Sequence, residues 1–193
     1  MLKYLCVLSM IMGLACTNPG NVGATNGVTG AVTVQPGSSL PSAGDVFVVW
    51  AVSSGSPDYL YVSGSGQLTE PGFELELPAT LPDEAINSYG LGVGLIVLLP
   101  SGTAPPAGRM SDATEASLDT TVIGATPRYA VIYRKPGTTG LTGWMDAFPE
   151  GYSCGVGVPA AAGETFDSYA PVDCSMVELV IGDPSTFDFV NWT

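Results

Sequence analysis

The residues best placed for chemistry lie between positions 140 and 157, and the chemistry they spell is incomplete. Gly151-Tyr152-Ser153-Cys154-Gly155 matches Gly-x-Ser-x-Gly, the pattern that presents a nucleophilic Ser on a strand-turn-helix elbow. Such a Ser needs a general base beside it, normally His, and this chain contains no His. Lys135 could serve in the manner of Ser-Lys enzymes, but it adjoins a Pro136-Gly137 turn, and the Val-Gly-Val-Pro run after Gly155 is not a helix start. No catalytic residue is therefore assigned. The missing His also removes most zinc and copper sites, while hard cations that take oxygen ligands stay open. Asp112, Glu115 and Asp119 fall on one face at helical spacing but lack the Asp-x-Asp-x-Asp-Gly order of a calcium loop, so they read as a solvated acidic turn. No metal and no cofactor is predicted. Gly90-Leu-Gly92-Val-Gly94 begins like a dinucleotide fingerprint, yet Leu95 stands where the third Gly belongs and no helix follows.

What remains at 140–157 is a long, Gly-rich, aromatic loop. Trp144, Phe148 and Tyr152 recur every four residues with Asp146 and Glu150 between them. Aromatic faces flanked by carboxylates suit a sugar or a peptide, and loops on a rigid scaffold are where binding usually resides. The competing use, which the large apolar area of aromatic rings favours, is to cover one end of the fold as a small satellite core.

The elements that would position this loop follow from the start of the chain. Lys3 precedes an apolar run over residues 4–12, and small residues at Gly13 and Ala15 prepare a cut before Cys16. A charged end, a short apolar segment and a small-residue cleavage site make an export signal. The run is shorter than the roughly 20 apolar residues a bilayer span requires. Gly13-Leu14-Ala15-Cys16 resembles the lipobox of bacterial lipoproteins. That resemblance implies cleavage before Cys16, attachment of diacylglycerol to its sulfur, and a membrane-anchored protein of the cell envelope. The same Gly-Leu-Ala would also serve an ordinary signal peptidase. The cysteine count bears on the choice: of four, Cys6 leaves with the signal, and Cys154 and Cys174 can pair in an oxidising compartment. Cys16 is left over, and lipidation accounts for it.

Residues 1–15 are thus read as a signal peptide, 16–26 as the lipidated Cys and a small, polar tether, and 27–193 as one folded domain. Eighteen acidic residues against five basic ones give a formal charge of −13, and loss of Lys3 makes the exported chain more negative still. Such a surface repels nucleic acid and anionic lipid head groups. Only 12% of residues are charged and 46% are hydrophobic, which calls for a real core.

Twenty-five Gly and sixteen Pro spread along the chain predict many turns and an all-β fold. Val28, Gly30, Val32 and Val34 alternate with Thr29, Ala31, Thr33 and Gln35; residues 45–52 are apolar on both faces; residues 58–63 form a short Tyr- and Val-rich strand. Phe73, Leu75 and Leu77 alternate with Glu74 and Glu76. Residues 90–99 read as a buried strand whose alternate Gly residues suggest close approach by another backbone, or a bend. Residues 111–118 are weakly helical, and 128–134, 176–181 and 187–192 complete the strands. Seven to nine mainly antiparallel strands of this kind predict a single β-sandwich. Residues 27–99 also resemble carboxypeptidase-regulatory and transthyretin-like sandwiches, through Gly30-Ala31-Val32 and Phe73-Glu-Leu-Glu-Leu-Pro78. The expectation is a non-catalytic envelope lipoprotein, anchored in a membrane through its lipid, with a binding or structural role toward an envelope protein or glycan. A secreted, carboxylate-dependent glycan-active enzyme and a carbohydrate-binding module are the alternatives.

Overall fold

The computed structural model describes residues 26–52, 59–160 and 168–187. The signal, Cys16 and nearly all of the tether lie outside them, as does the last predicted strand beyond Phe187. Eleven strands form: β1 (Gly27–Val34), β2 (Gly44–Val52), β3 (Tyr59–Thr69), β4 (Gly72–Glu76), β5 (Leu91–Pro100), β6 (Gly108–Arg109), β7 (Gly124–Ala125), β8 (Tyr129–Arg134), β9 (Gly151–Val158), β10 (Ser168–Val172) and β11 (Val177–Ile181). One α-helix among the described residues, α1 (Asp112–Thr121), accompanies them.

The all-β class holds; the predicted sandwich does not. The strands run β5-β2-β3-β4-β1-β11-β7, and β7 pairs back onto β5, so seven strands close into a barrel. A sandwich of the transthyretin-like kind keeps two sheets with free edges; here closure removes them from the seven-strand ring. Two pairings decide it. β1 lies parallel to β11, with Gly30 opposite Val177 and Val34 opposite Ile181. The two-residue β7 then links Val180 and Ile181 to Val97 and Leu98.

The barrel is flared. β7 is antiparallel to both β5 and β11, and β1 is parallel to β11, so β1, β5 and β11 all point the same way. At the late end of β5, Val97 and Leu98 meet β7 and the ring is narrow. At its early end, Leu91 to Gly94 pair instead with β8, which carries β9 and β10 away from the ring. Thr126 occupies the fork. Its side chain is fully buried; Oγ1 accepts the Ile96 amide at 3.1 Å and donates to the Tyr129 carbonyl at 3.0 Å, while its own N–H donates to the Ile96 carbonyl at 3.0 Å. Thr126→Val keeps the shape but strips the Ile96 N–H of its acceptor. An unpaired buried amide costs about 1–3 kcal/mol, so the midpoint of urea unfolding should fall; an unchanged midpoint would mean that the fork does not depend on this hydroxyl.

Along β2 both faces of the wall are covered over most of its length. Val46, Val48, Trp50 and Val52 of β2 point into the barrel with Val28, Phe73, Leu75, Ile96, Leu98 and Leu179. Phe47 and Val49 point outward, beneath Leu118 of α1 and Met110. That two-sided burial is why residues 45–52 show no alternation. Ser111 caps α1 by accepting the Thr114 amide at 3.3 Å, which places Asp112 and Glu115 in the first turn, where the helix dipole favours acids.

Candidate functional site

The predicted loop at 140–157 is divided between two places. Residues Gly143–Ala147 form a short 3-10 turn, but the chain becomes strand β9 at Gly151. Trp144 and Phe148 lie on the outer side of the β8–β9 extension; Trp144 packs edge-on against Phe148 at 5.9 Å and Tyr169 at 5.6 Å between ring centres. Phe148 is buried and Trp144 half-buried. Tyr152 points the opposite way, into the main core, with its ring 4.6 Å from Tyr133 and 6.1 Å from Trp50. Burial pushes the Tyr152 phenol well above its ordinary range, with the neighbouring Tyr133 adding to the effect. The three rings therefore do not share an exposed face.

The carboxylates of that stretch are structural ties. Glu150 accepts the Gly137 amide at 2.9 Å. Asp146 lies 3.6 Å from the Arg134 guanidinium, which also donates to the carbonyls of Phe148 at 2.9 Å and Thr138 at 3.0 Å. Gly-x-Ser-x-Gly has a structural reason too. Gly151 adopts φ +87° at the turn into β9, Ser153 is fully buried in mid-strand with its hydroxyl directed at the Ile132 carbonyl, and a Cβ on Gly155 would stand 3.1 Å from the Phe148 ring. This is no nucleophile elbow. Lys135 is engaged with Asp83 at 2.7 Å on the surface.

Cys154 and Cys174 form a disulfide, with Cα atoms 5.1 Å apart. Cys154 faces the main core from β9, and Cys174 sits in the short turn Cys174–Met176 just ahead of β11. The bridge therefore ties the extension to the barrel at the flared end. Asp173 braces the turn, accepting the Ser175 amide at 2.8 Å and the Ser175 hydroxyl at 2.7 Å. These bonds, the backbone one first, hold its carboxyl below the ordinary carboxylate range.

A concave feature lies elsewhere, on the outer wall at the narrow end. An open groove of about 680 Å³ runs over β2, β3 and β4. Its floor depends on a β-bulge: Val46 pairs with Gly66 and Val48 with Ser63, so Gly64 and Ser65 together oppose Phe47. Gly64 takes φ +78°, which a bulge of this kind requires and most residues avoid. The far wall is Ala104, Pro105 and Ala107 of the loop after β5. That loop is tied to the floor by Asp45, whose carboxylate accepts the Gly102 amide at 2.6 Å.

Three acids line the groove: Asp45, Glu74 and Glu76. Asp45 pairs with Gln67, Gln67 with Glu74, and Glu74 with Thr29, so four polar residues form one row across four strands. Glu76 falls in the next row, opposite Ser65 and Gly27. Among the described residues, the side chains of Gln67, Glu74 and Glu76 make no hydrogen bond or ion pair, and no group of three or more His, Cys, Asp or Glu is close enough to hold a metal ion. In the sequence the wet face of Glu74 and Glu76 is visible; its alignment with Asp45 is not, because that depends on two strand registers and a bulge. No family model, curated protein or solved structure matches the chain.

Proposed function

We infer that the chain is an exported, non-catalytic binding protein of the bacterial cell envelope, held to a membrane by a lipid on Cys16, with the groove over β2–β4 as its contact surface. The observation that carries the binding role is the groove itself. Its Glu74 and Glu76 carboxylates are uncommitted, solvent-facing and mounted on a closed barrel, a scaffold that holds polar groups at fixed spacing. The buried Cys154–Cys174 disulfide supports residence in an oxidising compartment, where such bridges persist. Gly27, where the anchor segment enters the barrel, pairs with Glu76 at the rim of the groove.

Lipidation is testable directly. The wild-type protein should partition into the detergent phase, and Cys16→Ala should abolish that partition or block processing of the precursor. An intact mature protein whose N-terminal Cys carries no acyl mass would overturn the anchor.

One observation favours a glycan-active enzyme as a second reading. Asp45 and Glu74 flank Gln67 in one row, two inter-strand steps or about 9.6 Å apart at the backbone, near the separation of about 6.5–9.5 Å used by inverting glycosidases. Release of reducing ends from envelope polysaccharide, lost in both Asp45→Asn and Glu74→Gln, would establish that reading over the binding one.

A further inference from the structure

Resting on the reading of the groove as a contact surface, we propose that its ligand is an extended, Lys- or Arg-rich polypeptide segment of a partner protein. The groove carries Asp45, Glu74 and Glu76 and no basic side chain. The four basic residues of the folded domain lie outside its lining: Arg109 on β6 over the Tyr59 ring at 4.1 Å, Arg128 just before β8, and Arg134 and Lys135 at the end of β8. A cationic partner is thus drawn to this wall.

The spacing of the acids selects the form of that partner. They do not converge on a point that a single metal ion could occupy. Glu74 and Glu76 are alternate residues on one strand, about 7 Å apart along it. An extended peptide presents alternate side chains at the same interval, so a Lys-x-Lys segment lying along β4 would set one ammonium at each carboxylate. Asp45 is partly committed to the Gly102 amide, which leaves it to meet a third cation from across the groove. Gly64, Ser65 and Gly66 keep the floor low, and Ala104, Pro105 and Ala107 give the wall an apolar strip for the stems of long basic side chains.

The test uses the full mature protein and labelled eight-residue probes. A probe alternating Lys with Thr should bind, and one alternating Gln with Thr should not. Raising the salt from 50 to 300 mM should weaken binding by about tenfold, as screening of exposed charge requires. Glu74→Gln and Glu76→Gln should each weaken it roughly two- to fivefold, the size of an exposed ion pair. Glu178→Gln, outside the groove lining, should have no such effect. Equal losses from Glu178→Gln and Glu74→Gln would mean attraction to bulk charge and overturn the proposal. So would failure of the Lys probe to bind. If a neutral oligosaccharide binds in its place and Glu74→Gln abolishes that, the proposal falls while the groove remains the contact surface. If neither class of probe is bound, both fall.

Discussion

Trp50→Ala should lower the free energy of unfolding by about 3–5 kcal/mol, the cost of emptying a large aromatic site in a packed core. Trp50 is fully buried, and its indole N–H donates to the Ser63 hydroxyl at 2.7 Å. The barrel is built around this ring. Gly92 and Gly94 of β5 face it, and a Cβ on Gly94 would stand 2.8 Å from Trp50 Cε3 and harder still against Val48. Gly94→Ala should therefore also destabilise, by about 1–3 kcal/mol of overpacking. The two losses should not add. With Trp50 shortened to Leu, the methyl at position 94 gains room, and Trp50→Leu with Gly94→Ala should cost less than the sum by more than about 0.5 kcal/mol. Urea titrations of the four proteins measure this. Strict additivity would mean that the ring and the glycine do not compete for one space.

The second large effect is expected from the disulfide. The bridge closes a sequence separation of 20, and cross-linking a loop of that length removes denatured-state entropy worth about 3 kcal/mol in the chain-entropy treatment. Reduction, or Cys154→Ala with Cys174→Ala, should lower the unfolding free energy by about 2–5 kcal/mol, as loss of a native disulfide typically does. The loss should be local in character. β8, β9 and β10 leave the ring through the short β5–β8 pairing, and the bridge adds to the main chain a second covalent tie, from β9 to the turn ahead of β11. Amide exchange should accelerate first in β9 and β10, and later in β1 and β4, which are paired on both sides. Uniform acceleration would show that the flared end and the ring unfold as one unit; an unchanged midpoint on reduction would remove the bridge from the stability of the fold.

Strands were legible where side chains alternate or run apolar. Residues 45–52, 73–77, 90–99, 128–134 and 176–181 all announce themselves, and β2, β4, β5, β8 and β11 form there. β9 hides because Gly151, Gly155 and Gly157 erase its alternation, so a strand with Tyr152 and Cys154 facing the core reads as a Gly-rich loop. The alternate glycines of β5 signal close approach correctly: Gly94 faces the Val48 and Trp50 side chains, and Gly92 faces Leu81, Trp50 and the backbone carbonyl of Ala85. Closure has no local signal. It depends on β7, two residues long, and on the meeting of β1 with β11, neither of which leaves a period in the sequence. The groove is illegible for the same reason: Asp45, Gln67 and Glu74 are ordinary outward positions until pairing sets them in a row.

The parallel β1–β11 seam also sets an order of events. Among the described strands β1 is made first, and one of its two neighbours, β11, is made last. Until Val177 to Ile181 have been made, β1 can pair only with β4, and β7 has β5 but no partner on its other side. Contacts between chain ends are the slowest to form, because loop closure must precede any gain from them. The growing chain therefore carries open sheet edges until β11 has been made, a form prone to pairing with other chains. Ring closure therefore waits for Val177 to Ile181, and a chain halted before Val177 has no means of completing it.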